Sequence, residues 1–173
     1  MPIQHDDDWD NRKALPDCQK WYANCHQHSL SFSRSVHIYM DNVYGAKPRN
    51  RIDILPGEPN VIGVLLISGI YDLRPITQIY VNDILSMDEE MAKRNSPALD
   101  PKRYYNFSLI AYGEQELTTF QQESLDYHKI LTNEGVDAAL LPISNRNHFN
   151  VLDELTNEDG AIFQALINRV NLT

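Results

Sequence analysis

The sequence predicts an α/β fold, in which a short, mostly parallel sheet is flanked by helices and preceded by a long N-terminal helical segment. Two observations predict it. Three apolar runs have the length of strands, and they lie at Val61–Ile67, Phe107–Tyr112 and Ala138–Ile143. A helical pattern separates the second run from the third, and this order favours a parallel pair joined by a right-handed crossover.

The length and composition suit one domain with a usable core. The chain has 173 residues, and we predict a single domain over residues 1–173, with a helical segment at 1–45 and the α/β part at 46–173. Fifteen basic and 24 acidic residues give a net charge of −9, which argues against nucleic-acid and anionic membrane partners. No apolar run approaches the roughly 18–20 residues of a membrane span.

The N-terminal segment carries a helical pattern. Apolar or small residues recur at spacings of three and four from Leu15 to Val43, with Pro16 in a first-turn position and Tyr44-Gly45 at the end. We expect this stripe to pack against its own domain, and a coiled-coil seam is the alternative. The following residues, Arg51–Pro56, alternate polar and apolar as an edge strand does.

The two cysteines are expected to be free. Cys18 and Cys25 are seven residues apart, about 10 Å along a helix, which is too far for a disulfide. Free thiols and a terminus without an apolar leader predict a cytoplasmic location. Cys25, His26 and His28 carry zinc-binding atoms, but a fourth ligand is missing and adjacent helical residues point apart, so we expect no metal and no cofactor.

The elements of the C-terminal part follow from local patterns. Val61–Ile67 is almost continuously apolar, which is typical of a strand buried on both faces. Ser86 with Glu89 predicts a capping box that opens a short helix, and this helix should end before Pro97. The next helix should be closed by Gly135 in the C′ position. Its buried face is predicted to hold Leu117, Phe120, Ser124, Tyr127 and Leu131. A last helix is predicted over Ala161–Val170.

Two segments carry a resemblance to a known family. Val64–Pro75, which reads Val-Leu-Leu-Ile-Ser-Gly-Ile-Tyr-Asp-Leu-Arg-Pro, and Arg94–Pro97 resemble the second half of an α/β-hydrolase. Among families of this fold, they resemble the kynurenine formamidases (arylformamidases) and related esterases. The segment that contains Tyr44-Gly45 and Arg51-x-Asp53 resembles the one that leads into the first strand in this family. The resemblance implies hydrolysis of N-formylkynurenine or a small aryl ester through an acyl-enzyme, without a cofactor.

The resemblance also points to two site residues. The family's acid lies three residues after a glycine that follows a strand, and Glu116 stands there after Gly113. A His-Phe pair carries the family's histidine, and His148-Phe149 follows the next strand. A carboxylate that holds one ring nitrogen leaves the other free to accept a proton. The alternatives are a helix-dipole acid for Glu116 and a helix cap for His148.

The family's nucleophile has no counterpart in this sequence. There is no Gly-x-Ser-x-Gly elbow and no His-Gly-Gly oxyanion loop. Ser68 precedes Gly69, but Leu66 stands where the first elbow glycine belongs, so Ser68 is not expected to be a nucleophile. Ser96, before Pro97, is predicted to be a turn residue. We therefore expect absent or very weak hydrolysis by this chain.

The two similar blocks are joined directly at Pro56–Asn60, where the family carries a long central stretch. We interpret this as an internal deletion, which would leave Val61–Ile67 without a neighbouring strand. Such an edge predicts marginal stability, a homodimer, or borrowing of the missing part from another chain. A non-catalytic interaction or oligomerisation module is thus the competing function. If the ancestral packing persists, Glu116 and His148 should lie within hydrogen-bond reach at the carboxyl edge of the sheet.

Overall fold

The computed structural model describes residues 6–15, 17–20, 23, 39–43, 51–54, 63–101 and 107–170. Its strands are β1 (Tyr39–Val43), β2 (Arg51–Ile54), β3 (Gly63–Ile67), β4 (Phe107–Gly113) and β5 (Ala138–Ile143). Its helices are α1 (Asn11–Ala14), α2 (Asn82–Leu85), α3 (Glu89–Arg94), α4 (Thr118–Asn133), α5 (Asp153–Thr156) and α6 (Ala161–Val170). Short 3₁₀ turns lie at Asp6–Trp9, Pro75–Gln78, Pro97–Leu99 and Asn150–Leu152. The chain divides into two compact units, residues 17–61 and the remainder.

The larger unit is built on a three-stranded parallel sheet in the order β3-β4-β5. Residue 65 of β3 pairs with Leu109 of β4, and Leu109 pairs in turn with Ala139 of β5. The three apolar runs are therefore neighbouring parallel strands, as predicted. All seven residues of β4 are buried, whereas all five of β3 are only half-buried. The centre of the core thus lies on β4.

Helices cover both faces of this sheet. Successive residues of β4 point to opposite sides, so Ile110 and Ala111 belong to different apolar clusters. The first cluster joins Ile110 to Tyr127 and Leu131 of α4. The second joins Ala111 to Ile162 of α6. The result is a helix–sheet–helix sandwich, which is the expected fold class.

The long helix α4 matches its sequence prediction closely. Its buried residues are Phe120, Ser124, Tyr127 and Leu131. At its end, the amide of Gly135 donates to the carbonyl of Thr132 and the amide of Val136 donates to that of Leu131. This double closure requires a left-handed residue, and Gly135 has φ 74°. The return of the chain into β5 is therefore fixed by one glycine.

The smaller unit contains an antiparallel pair, β1 and β2, with Asn42 opposite Ile52 and Val43 opposite Arg51. The strand prediction for Arg51–Ile54 is confirmed. The helical prediction is wrong at Tyr39–Val43, because pairing with β2 satisfies the backbone groups there and outweighs the three-and-four spacing of side chains. Residues 18–20 and 23 are helical, and the rest of the predicted stripe, including Cys25, His26 and His28, lies outside the described residues.

Two smaller predictions are settled near the start of α3. The cap is Asp88, whose carboxylate accepts from the amide of Met91 at 2.7 Å. Ser86 instead ends α2 with φ 50°, so the predicted capping box is wrong by two positions.

Cys18 is a free, buried thiol, as expected. Among the described helices, none has the length and apolar character needed to cross a membrane.

Candidate functional site

The loop after β4 is held tightly against the end of β5. The amide of Glu114 donates to the carbonyl of Ile143 at 3.0 Å, and the amide of Gln115 donates to that of Arg146 at 2.9 Å. A Cβ on Gly113 would lie 2.2 Å from the carbonyl oxygen of Arg146. Glycine is required here because the two loops touch backbone to backbone. The next turn then brings Glu116 back toward the sheet.

Glu116 is a buried carboxylate with three hydrogen-bond partners. Its side chain is fully covered by protein. Oε1 accepts from the amide of Gly113 at 2.7 Å and from the hydroxyl of Ser68 at 2.5 Å. Oε2 lies 2.9 Å from Nδ1 of His148. Buried charge is tolerated when it is hydrogen-bonded in this way, so the carboxylate is held in one orientation.

His148 lies in a short turn after β5 that is organised by two asparagines. The side chain of Asn147 accepts from the amides of Phe149 and Asn150, at 3.0 and 3.1 Å. The side chain of Asn150 accepts from the amide of Asn147 at 2.7 Å. The imidazole packs against Phe120 of α4, with ring centroids 4.6 Å apart. The turn and the aromatic contact together fix the ring, which is 27% exposed.

This pair can hold a base ready for proton transfer. With Glu116 ionised, Nδ1 of His148 donates to it, and the neutral imidazole then has its lone pair on Nε2. Among the described residues, no group forms a hydrogen bond with Nε2. The partly exposed ring can therefore accept a proton from a group outside this set, while the buried carboxylate stabilises the resulting imidazolium.

Ser68 belongs to this site, but in a role that the sequence did not reveal. It directly follows β3, has φ 50°, and its amide donates to the carbonyl of Ala111 at 2.9 Å. Its hydroxyl proton is directed to Oε1 of Glu116, on the other side of the carboxylate from His148. A nucleophilic serine would instead donate to the histidine. One sequence feature could have placed Ser68 in the site: it directly follows a predicted strand, at the sheet edge where Glu116 and His148 also lie.

The segment that follows Ser68 is fixed by contacts with α4. Oε2 of Glu123, on α4, accepts from the amides of Tyr71 and Asp72 at 2.7 and 2.9 Å. Burial raises the pKa of Glu123, despite these two bonds. The ring of Tyr71 stacks on that of Tyr127 at 4.1 Å, and burial raises the pKa of Tyr71 as well. This segment is therefore rigidly attached to α4.

Ser96 has a structural role, as predicted. Its hydroxyl donates to the carbonyl of Ala92 at 2.6 Å and accepts from the amide of Leu73 at 2.8 Å. It thus ties the turn after α3 to the loop after β3. Within the described ranges, no three histidine, cysteine or carboxylate side chains converge as metal ligands.

Two proteins similar to this chain are kynurenine formamidases. No family model matches the sequence. Kynurenine formamidase from Salmo salar is 38% identical over 115 residues, which covers 63% of this chain and 39% of the relative. Kynurenine formamidase from Danio rerio is 32% identical over 117 residues, which covers 65% of this chain and 40% of the relative. The chain thus spans about two fifths of the length of the curated relatives that it matches.

One solved structure supports the fold. A protein from Silicibacter sp. TM1040, provisionally assigned as a thioesterase, superposes with a TM-score of 0.52 at 23% identity. The match covers 61% of this chain and 38% of that one. The short parallel sheet flanked by helices is accordingly part of an α/β-hydrolase fold. The resemblance to the kynurenine formamidases, expected from the sequence, is confirmed by the relatives.

Proposed function

We propose that this chain, which has an α/β-hydrolase fold and is similar to the kynurenine formamidases, carries the acid and histidine of a hydrolytic site. The observation that supports this most directly is the 2.9 Å contact between Glu116 and Nδ1 of His148. It joins two loops that leave adjacent parallel strands at their carboxyl ends, which is where open α/β sheets bind ligands. The proposed substrates are formamides and small esters, with N-formylkynurenine suggested by the relatives' name.

The proposed chemistry assigns one task to each residue. Nε2 of His148 takes the proton of a hydroxyl nucleophile as that oxygen attacks the substrate carbonyl. The same proton then passes to the departing amine or alcohol, and an acyl-enzyme remains. Water completes hydrolysis by the reverse proton movements. Glu116 keeps the ring oriented and stabilises its charge without taking the proton.

The chain alone is proposed to hydrolyse these substrates weakly or not at all. The sequence has no serine elbow and no oxyanion loop, and oxyanion donors contribute about 10²–10³-fold to rate in related chemistry. Ser68 does not replace the nucleophile, because its proton is directed to Glu116 rather than His148. Among the residues that the structure describes, we therefore assign no attacking group to this site.

The test is hydrolysis of an aryl acetate and of N-formylkynurenine by the purified chain. We expect rates within about tenfold of the uncatalysed reaction, because proton transfer alone cannot replace the missing groups. His148→Ala and Glu116→Gln should then leave the rate unchanged. Robust turnover that disappears in His148→Ala would reject the proposed inactivity and reveal an unrecognised nucleophile. Robust turnover retained in that variant would reject the proposed roles of both residues.

An interaction module is the second candidate function, and the half-buried strand β3 favours it. A strand that is apolar on both faces usually lies inside a sheet, with neighbours on both sides. Light scattering after size exclusion measures the assembly state of the purified chain. A concentration-independent monomer would argue against self-assembly, whereas a dimer would support the oligomeric version of this candidate.

A further inference from the structure

One side chain of α4 is bonded to the backbone of the loop that carries Glu116. The side-chain amide of Gln121 donates to the carbonyl of Glu116 at 2.8 Å and to that of Glu114 at 3.2 Å. Both acceptors are carbonyl oxygens, which cannot donate, so the group that meets them is the NH₂ end of the side chain. The half-buried Gln121 therefore holds two carbonyls of one loop with a single group.

The backbone amides of the same loop are bonded elsewhere. Those of Glu114 and Gln115 donate to carbonyls at the end of β5 and in the loop that follows it. The amide of Glu116 donates within its own turn, to the carbonyl of Gly113 at 3.0 Å. The loop is thus attached through its amides to the β5 side, where His148 also lies, and through its carbonyls to α4.

The preceding residue of α4 contacts the histidine itself. Phe120 packs on the imidazole of His148, with ring centroids 4.6 Å apart. Phe120 and Gln121 both lie in the first turn of α4. One turn of helix therefore holds the backbone of the acid and the ring of the base. Paired catalytic groups work only within about 0.5 Å of their productive geometry, so this turn is placed to set the distance between them.

We infer that Gln121 is a positioning residue for the pair of Glu116 and His148. It acts through the backbone of Glu116 and not by contact with a reacting atom. Without its two hydrogen bonds the loop stays attached to the β5 side but loses its attachment to α4, and the carboxylate then separates from Nδ1 of His148 more often. The inference rests on the proposed function and deepens it by naming a residue that keeps the pair together.

The proton on Nδ1 of His148 reports this pairing directly. A proton that is donated to a buried carboxylate exchanges with water only when the contact opens. The experiment measures its exchange in the full chain by NMR saturation transfer from water. Gln121→Met keeps a side chain of similar length and removes the donor. We expect exchange about tenfold faster in this variant, which corresponds to about 1.4 kcal/mol.

A second variant and two matched controls accompany this measurement. Gln121→Glu keeps the shape of the side chain but replaces the donor with a carboxylate that repels both carbonyls, so exchange should accelerate at least as much. Gln122→Met and Gln122→Glu make the same changes at the next residue, which is exposed. Surface substitutions have small effects, and the controls should stay within about twofold of the parent.

Urea denaturation of each variant separates positioning from general stability. Global unfolding is much rarer than local opening in a folded protein, so a purely global loss of stability leaves the exchange of this proton unchanged. Unchanged exchange in the folded Gln121 variants overturns the inference, and so do equal effects at Gln121 and Gln122. Failure of both Gln121 variants to fold, with folded controls, would assign Gln121 to the whole fold and overturn it as well.

The parent protein separates this inference from the proposed function. A protected proton on Nδ1 of His148 that is lost in Glu116→Ala supports the pair on which that function depends. A parent without such a proton rejects the proposed function and the inference together. A parent that has it, and keeps it equally protected when Gln121 is replaced, rejects the inference alone.

Discussion

Ser68 and Glu116 are joined by a hydrogen bond of 2.5 Å between the serine hydroxyl and Oε1 of the carboxylate. The contact connects the end of β3 to the loop after β4, across 48 positions of the sequence. The partner of the hydroxyl distinguishes a structural serine from a nucleophilic serine, which a sequence motif does not distinguish. A serine that holds the acid rigidifies the site, whereas a serine that donates to the histidine attacks the substrate.

Ser68→Ala should lower the free energy of unfolding by about 2 kcal/mol at neutral pH, because a buried carboxylate loses a charge-assisted donor. Urea denaturation measures the change. Ser144→Ala is the matched control, since the Ser144 hydroxyl donates to Glu114 at 2.6 Å in an exposed position. That control should change stability by less than about 0.5 kcal/mol. Equal effects of the two substitutions would show that the bond to Glu116 contributes little.

Gly113→Ala should be strongly destabilising, by about 3 kcal/mol or more, because the new methyl group meets the backbone of Arg146 rather than a flexible side chain. Thermal unfolding followed by circular dichroism measures it. Gly135→Ala provides the comparison, since φ 74° there gives backbone strain, and we expect about 1 kcal/mol. A Gly113→Ala protein as stable as Gly135→Ala would mean that the two loops separate easily.

Glu123→Gln should stabilise the protein increasingly as pH rises. Burial raises the pKa of Glu123 above its ordinary value of 4.5. A raised carboxyl pKa contributes stability at low pH, and this contribution is lost as pH increases through the folded value. The neutral amide avoids that loss. Urea titrations between pH 4 and pH 7 should show the stability of the variant rising relative to the parent, and a constant or opposite difference would contradict the burial effect.

Glu154→Gln should show the reverse trend. The amide of Ala161 donates to this carboxylate at 2.7 Å, Arg146 pairs with it at 2.6 Å, and together they lower its pKa. A lowered carboxyl pKa contributes stability above the unfolded value, and this is lost as pH falls. The variant should therefore be less stable than the parent at pH 7, with the difference shrinking toward pH 3. A difference that grows in acid would contradict this assignment.

The strands of the parallel sheet could be predicted because each is a predominantly apolar run of strand length. Glu116 and His148 were selected by the resemblance to a known family. The strands then predicted that their loops meet, since parallel strands end at one edge. The bond between Ser68 and Glu116 could not be predicted, because it depends on a left-handed backbone at Ser68 and on one carboxylate orientation. Neither the backbone conformation nor the carboxylate orientation can be recognised from the amino-acid sequence.

The strand at Tyr39–Val43 was missed for a different reason. Its residues fit a helical spacing, and their pairing with Arg51–Ile54 is a contact that spacing along one segment does not report. Similarly, Ser86 and Asp88 are both good caps. Only the backbone decides between them, because φ 50° at Ser86 places that residue at the end of the preceding helix.

The aromatic contacts behind His148 give the protein an optical reporter. Trp9 is buried with its ring 5.6 Å from that of Phe120, and Phe120 in turn lies 4.6 Å from the imidazole. Indole emission responds to the packing and polarity around it, so any event that displaces Phe120 should change the fluorescence of Trp9. The sequence has one other tryptophan, Trp21, and replacing it with phenylalanine would isolate the signal. Occupation of the histidine site could then be followed by emission, without any chemical turnover.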